Sequence, residues 1–107
     1  MGLTSGVYFV QSGAFIKIGV ATNVVRRVRD AGWAWNPHEV LPLGWIPEPD
    51  GDEAYTLERR LHVLFTEHHH RLEWFHAHQS ILDYISAHAK SWPKAEWMAP
   101  QVWGNRL

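Results

Sequence analysis

Near the start of the chain a phenol, an amine and a guanidinium occur close together, as Tyr8, Lys17 and Arg27. A carboxylate follows at Glu58, with His62 one helical turn later, and a second carboxylate comes at Glu73. Ammonium and guanidinium groups hold phosphate oxygens. A carboxylate beside a cleft can be one of the few protein ligands of Mg²⁺, which otherwise keeps water and substrate phosphate oxygens. Each residue also has an ordinary reading. Tyr8 suits any amphipathic strand, Lys17 can guard a sheet edge, Glu58 can pair with Arg59 or Arg60, and Glu73 can anchor a loop. The histidines form two groups, His68-His69-His70 and His76-x-His78. Consecutive helical residues point about 100° apart, so three in a row do not converge on one ion. The expectation is a run at a helix end that complements the dipole, and not a zinc site.

The elements that would position these groups begin with a hairpin. Residues 6–10 and 14–20 are rich in β-branched and aromatic side chains, and Gln11-Ser12-Gly13 separates them. That pattern predicts two antiparallel strands. With Ser12-Gly13 as the turn, Tyr8 pairs with Lys17, and an ammonium beside a phenol favours the phenolate. Alternation puts Val7, Phe9, Ile16 and Ile18 on a core face, and Tyr8, Val10, Phe15 and Lys17 on the other. A helix then follows, capped by Thr22 or Asn23 and ended by Gly32. Val20, Val24, Arg27 and Ala31 would share its inward stripe. An inward Arg27 needs an anionic partner, whereas Arg26 and Arg29 face solvent.

Gly32 to His38 reads as a loop whose Trp33 and Trp35 lid the sheet. Residues 39–46 predict a third strand, with Pro42 marking an edge or a bulge. Asp52 is the expected cap of a helix to about His68, with Ala54, Leu57, Leu61, Leu64 and Phe65 inward and Glu58 at the border of that face. Glu73 is expected in a loop, with Trp74 and Phe75 in the core. Residues 80–90 predict a last helix with Ile81, Tyr84 and Ile85 inward. The Trp-rich tail at 91–107 suits a strap over the core.

A chain of 107 residues, 46% hydrophobic and 20% charged, is expected to form one globular domain over 1–107. The absence of cysteine excludes a disulfide framework and a thiolate zinc site. No apolar run is long enough to span a bilayer, so no membrane association and a cytoplasmic location are expected. The net charge of −1 hides an asymmetry, +3 over residues 1–35 and −5 over 36–55. A phosphate-binding surface should therefore be local, built from Lys17, Arg26, Arg27 and Arg29.

Gly6-Val7-Tyr8, then Ile18-Gly19, then an arginine eight positions after that glycine, resemble the motif core of the GIY-YIG nuclease superfamily. Leu57-Glu58-Arg59-Arg60-Leu61-His62 and Glu73-Trp74-Phe75 resemble its compact phage-type branch, and the likeness spans about residues 6–85. The resemblance implies an α+β fold, a three-stranded antiparallel sheet flanked by helices in the order β-β-α-β-α-α. It implies a divalent-metal-dependent endonuclease acting on DNA with Mg²⁺ or Mn²⁺. Tyr8 would be the general base, Glu58 the metal ligand and Arg27 the phosphate stabiliser, with Lys17 tuning the base and Glu73 and His62 as accessory groups. The sequence departs from the pattern in three places. Lys17 stands where a tyrosine is usual, the gap before it is short, and Ala31 stands where some members carry histidine. The alternatives are a catalytically silent nucleic-acid-binding module, or a protein-interaction domain using the Trp-rich tail. So small a domain could use a homodimer or a targeting partner to find its site.

Overall fold

The computed structural model describes residues 5–24, 26–27 and 40–91. Its elements are β1 (Gly6–Ser12), β2 (Phe15–Ala21), β3 (Val40–Pro47), α1 (Gly51–Leu64), β4 (His69–Arg71), β5 (Trp74–His76) and α2 (Gln79–His88). The strands form one antiparallel sheet in the order β3-β1-β2-β5-β4. The sheet thus has five strands and not the expected three. Residues 69–76, read from the sequence as a helix end and a loop, make a second hairpin that adds to the free edge of β2.

The first hairpin turns at Gly13-Ala14, so Ser12 pairs with Phe15, Val10 with Lys17 and Tyr8 with Gly19. Gly13 has φ +60°, and Ala14 is not among the residues with positive φ. That is the pattern of a type II′ turn, which takes Gly at its first central position. The expected pairing of Tyr8 with Lys17 is corrected by this slip of one residue in each strand. A slip that moves the register sum by two leaves the faces unchanged, so Val7, Phe9, Ile16 and Ile18 are all fully buried on one side. They share a core with Leu61 and Phe65, Phe75 of β5, and Ile81 and Ile85 of α2. On the opposite face Tyr8 and Val10 are buried as well, so the interior strand β1 is covered on both sides.

β3 lies at one edge, and its pairing with β1 shifts between Phe9 and Val10, beside Pro42. A residue without an N–H is tolerated at such an edge and bulge. Lys90 clips the outer side of β3: the Trp45 N–H donates to the Lys90 carbonyl at 3.2 Å and the Lys90 N–H to the Trp45 carbonyl at 2.7 Å. α1 packs across β1 and β2, and α2 against β3. The Asp50 side chain caps α1 by accepting from the N–H groups of Asp52 and Glu53 at 2.8 and 3.1 Å, two residues before the expected cap. The helix ends at Leu64, not near His68, and Leu64 itself is exposed.

After β2, Asn23 caps a helical turn, its side chain accepting from the Arg26 N–H at 3.0 Å. Val24 is buried but Arg27 is exposed, which corrects the inward Arg27. The expected stripe counted from Val20, and Val20 is still in β2. Arg29, Ala31, the end at Gly32, Trp33, Trp35 and the tail from Trp92 lie outside the described residues.

Candidate active site

Five of the expected residues are arranged around one peptide segment, Ile18-Gly19 of β2. The Ile18 N–H donates to the Glu73 carbonyl at 3.0 Å, which extends the β2–β5 pairing into the turn between β4 and β5. The Ile18 carbonyl lies 3.0 Å from His62 Nε2, so His62 carries its proton on that nitrogen and donates it. The His62 ring meets Phe75 edge-on at 5.0 Å, which fixes its plane. Its neighbours on β2 and β5 therefore set the position of an α1 side chain.

Glu58 comes one helical turn before His62 and is only 6% exposed. Its Oε2 is 3.9 Å from His62 Nε2. Burial pushes the Glu58 carboxyl above its usual range, the Glu73 charge and a side-chain hydrogen bond with Glu73 push the same way, and His62 and Arg59 oppose them. Glu73 also meets Lys17, with Nζ 3.8 Å from its Oε1, and Lys17 lies 5.9 Å from the Trp74 ring centroid. Contacts thus run unbroken from Lys17 through Glu73 and Glu58 to His62.

Tyr8 reaches the same segment from the other side. It is 2% exposed, and its ring lies over Gly19 so closely that a Cβ there would be 2.6 Å from the hydroxyl oxygen. Only a residue without a side chain leaves room for the phenol. No described residue gives the Tyr8 hydroxyl a hydrogen bond. A buried hydroxyl without a partner costs about 1–3 kcal/mol, which phenylalanine would avoid. Tyr8 is opposite Gly19 and Trp45 and not opposite Lys17, so the structure gives no support to Lys17 as a group that tunes the phenol.

Arg26 and Arg27 are exposed on the helical turn after β2, while Arg29 is not described. The segment's backbone was not foreseen as the organiser. In the sequence Gly19 stands only as part of a motif, and nothing in its neighbours reports the phenol lying over it.

A family model for the T5orf172 domain matches residues 5–93, most of the chain and all of the elements above. The chain belongs to the T5orf172 domain family. This replaces the resemblance to GIY-YIG nucleases, since the matching family is a different one. Gly-Val-Tyr and Lys-Ile-Gly are short enough to recur in unrelated hairpins, and Lys17 already broke the second of them. The T5orf172 domain is associated with nucleases and DNA-binding proteins, an association that points toward nucleic acid. No curated protein and no solved structure matches the chain significantly. No described helix is long and apolar enough to cross a membrane.

Whether these residues suit a divalent cation can be judged from the donors. Among the described residues no group of three or more His, Asp or Glu side chains could hold a metal ion. Mg²⁺ needs fewer, being commonly held by one or two carboxylates with water and substrate phosphate completing the shell. Glu58 and Glu73 supply such a pair, and their mutual contact is one a cation would relieve. The donor set fits.

Proposed function

We propose that this T5orf172 domain is a divalent-metal-dependent nuclease that hydrolyses DNA phosphodiester bonds around the Ile18-Gly19 segment. The observation that carries the reading is the buried Tyr8 hydroxyl without a described partner, beside a segment whose backbone also holds His62 and Glu73. Such a hydroxyl is kept at a cost, and a substrate or an attacking water would supply the missing hydrogen bond.

In this reading Glu58 and Glu73 would hold Mg²⁺ or Mn²⁺, with His62, its Nε2 proton given to the Ile18 carbonyl, packed beside Glu58. The cation, when bound, draws charge from the scissile phosphate and its leaving oxygen. Tyr8 takes the proton of the attacking water as the new P–O bond forms and the old one breaks. Lys17 holds a phosphate oxygen of the strand, neutralising charge next to Glu73. Arg26 and Arg27, on the surface, contact the DNA backbone away from the reacting phosphate.

The deciding experiment incubates plasmid DNA with the protein and Mg²⁺ or Mn²⁺, with and without chelator. Metal-dependent nicking that Glu58→Ala abolishes, with DNA binding retained, is the expected result. Cleavage that persists in chelator, or equal activity in Glu58→Ala, would remove the metal assignment. Binding without cleavage under all conditions would make the domain a DNA-binding module.

A further inference from the structure

The sheet face that carries Lys17 continues outward into a group of exposed rings. Phe15 pairs with His76 and Lys17 with Trp74, so these four share that face. The pairing of β4 with β5 shifts between His69 and Arg71, a bulge that re-aims the intervening side chain. His70 is thereby brought to the same face, where its ring stacks on Phe15 at 4.5 Å and meets His76 edge-on at 5.2 Å. Phe15 and His76 are themselves 5.3 Å apart. His70 and His76 are exposed and Phe15 is half-buried. Cations flank the rings, Lys17 on β2 and the exposed Arg71 opposite Trp74.

An edge hairpin that only needed protection from aggregation would carry charges, not a contiguous set of rings. Exposed rings flanked by cations are what binds single-stranded nucleic acid, because every base offers a π-face and every linkage a negative charge. A paired duplex keeps those faces stacked inside. Phe15 and Lys17 are about 6.6 Å apart along the strand, close to two base steps of a stacked strand at about 3.4 Å each.

We propose that Phe15, His70 and His76 form a stacking platform for unpaired bases of single-stranded nucleic acid, with Lys17 and Arg71 holding the adjoining phosphates. The inference deepens the reading above and rests on it for nucleic acid as the partner. Lys17 belongs both to the platform and to the chain of contacts ending at Glu58, so a strand seated here leads into the candidate active site.

The test measures binding by fluorescence anisotropy in chelator, where no cleavage interferes, with the full chain. The probes are labelled oligothymidine, an abasic strand of the same length, and a duplex. Oligothymidine should bind about tenfold more tightly than the abasic strand and more tightly than the duplex. The paired substitution His70→Ala with His76→Ala should erase the preference for bases, and His70→Phe alone should keep it. Both histidines are exposed, so melting temperatures should stay within a few degrees of the unaltered protein. Equal binding of oligothymidine and the abasic strand by the unaltered protein would overturn the platform, as would a base preference that survives the paired substitution. Failure to bind any strand would remove this inference and the nucleic-acid reading together. A base preference without cleavage would leave the platform standing and remove only the nuclease.

Discussion

Replacing Tyr8 by phenylalanine removes one oxygen and nothing else, and the structure makes opposite demands of that oxygen for stability and for activity. The hydroxyl is buried, lies over Gly19, and has no hydrogen-bond partner among the described residues. Leaving such a group unsatisfied costs about 1–3 kcal/mol, part of which Tyr8→Phe should return. In a domain of about 100 residues, each kcal/mol moves the melting temperature by roughly 4–8 °C. The variant should therefore melt at the same temperature or several degrees higher, while cleavage of plasmid DNA in Mg²⁺ falls to background. Calorimetry and a nicking assay on the same preparation read both quantities. A melting temperature lowered by several degrees would mean that the hydroxyl is satisfied and structural. Cleavage at the original rate would show that it is not the base.

Three other substitutions probe the rest of the site. The folded Glu58 carboxyl titrates above its unfolded value of 4.5, so the folded state binds more protons and loses stability as pH rises from the unfolded value through the folded one. Glu58→Gln should thus leave stability nearly unchanged below that window and raise it above, in denaturant titrations at several pH values; a gain that is the same at every pH would refute the shift. Gly19→Ala places a Cβ 2.6 Å from the Tyr8 hydroxyl oxygen and 2.7 Å from Cζ. Because the ring is buried and cannot give way, the cost should be about 1–3 kcal/mol in a thermal melt, and an unchanged melting temperature would contradict the close approach. Lys17→Met should weaken DNA binding and reduce the salt slope by about 0.9, with the alkaline limb of the pH–rate profile unmoved because Lys17 pairs with Val10. A shifted alkaline limb would restore Lys17 to the base chemistry.

What could be read from the residues follows from which physical signals are local. The two faces of the first hairpin were legible because alternation has a period of two, and a slip of two in the register sum cannot disturb it. The pairing itself was not, because Ser12-Gly13 and Gly13-Ala14 are both acceptable turns and differ only in the conformation that Gly13 adopts. Pro42 marked its strand for an edge or a bulge, because a missing N–H cannot serve the interior of a regular ladder, and β3 has both. The second hairpin was hidden: His69-His70-Arg71 has no apolar alternation, and its turn places Leu72 at φ 52°, where Gly or Asn would have announced it. Glu58 could be placed on α1 from helical spacing alone. Its contact with Glu73 depends on that unannounced hairpin, and so did not show.

The backbone clip between Trp45 and Lys90 bears on how the protein behaves in bulk solution. An open strand edge is a template on which a second chain can crystallise its own strand, and β3 presents long apolar side chains along such an edge. Two features keep it from growing. Pro42 and Pro47 have no N–H to offer, and Lys90 occupies both outward backbone groups of Trp45. At the far side of the sheet β4 is three residues long and carries no aliphatic side chain, too short and too polar to seed a fibril. The sheet is therefore finite by its own covalent sequence, and colloidal stability rests on the few residues after α2 as much as on surface charge.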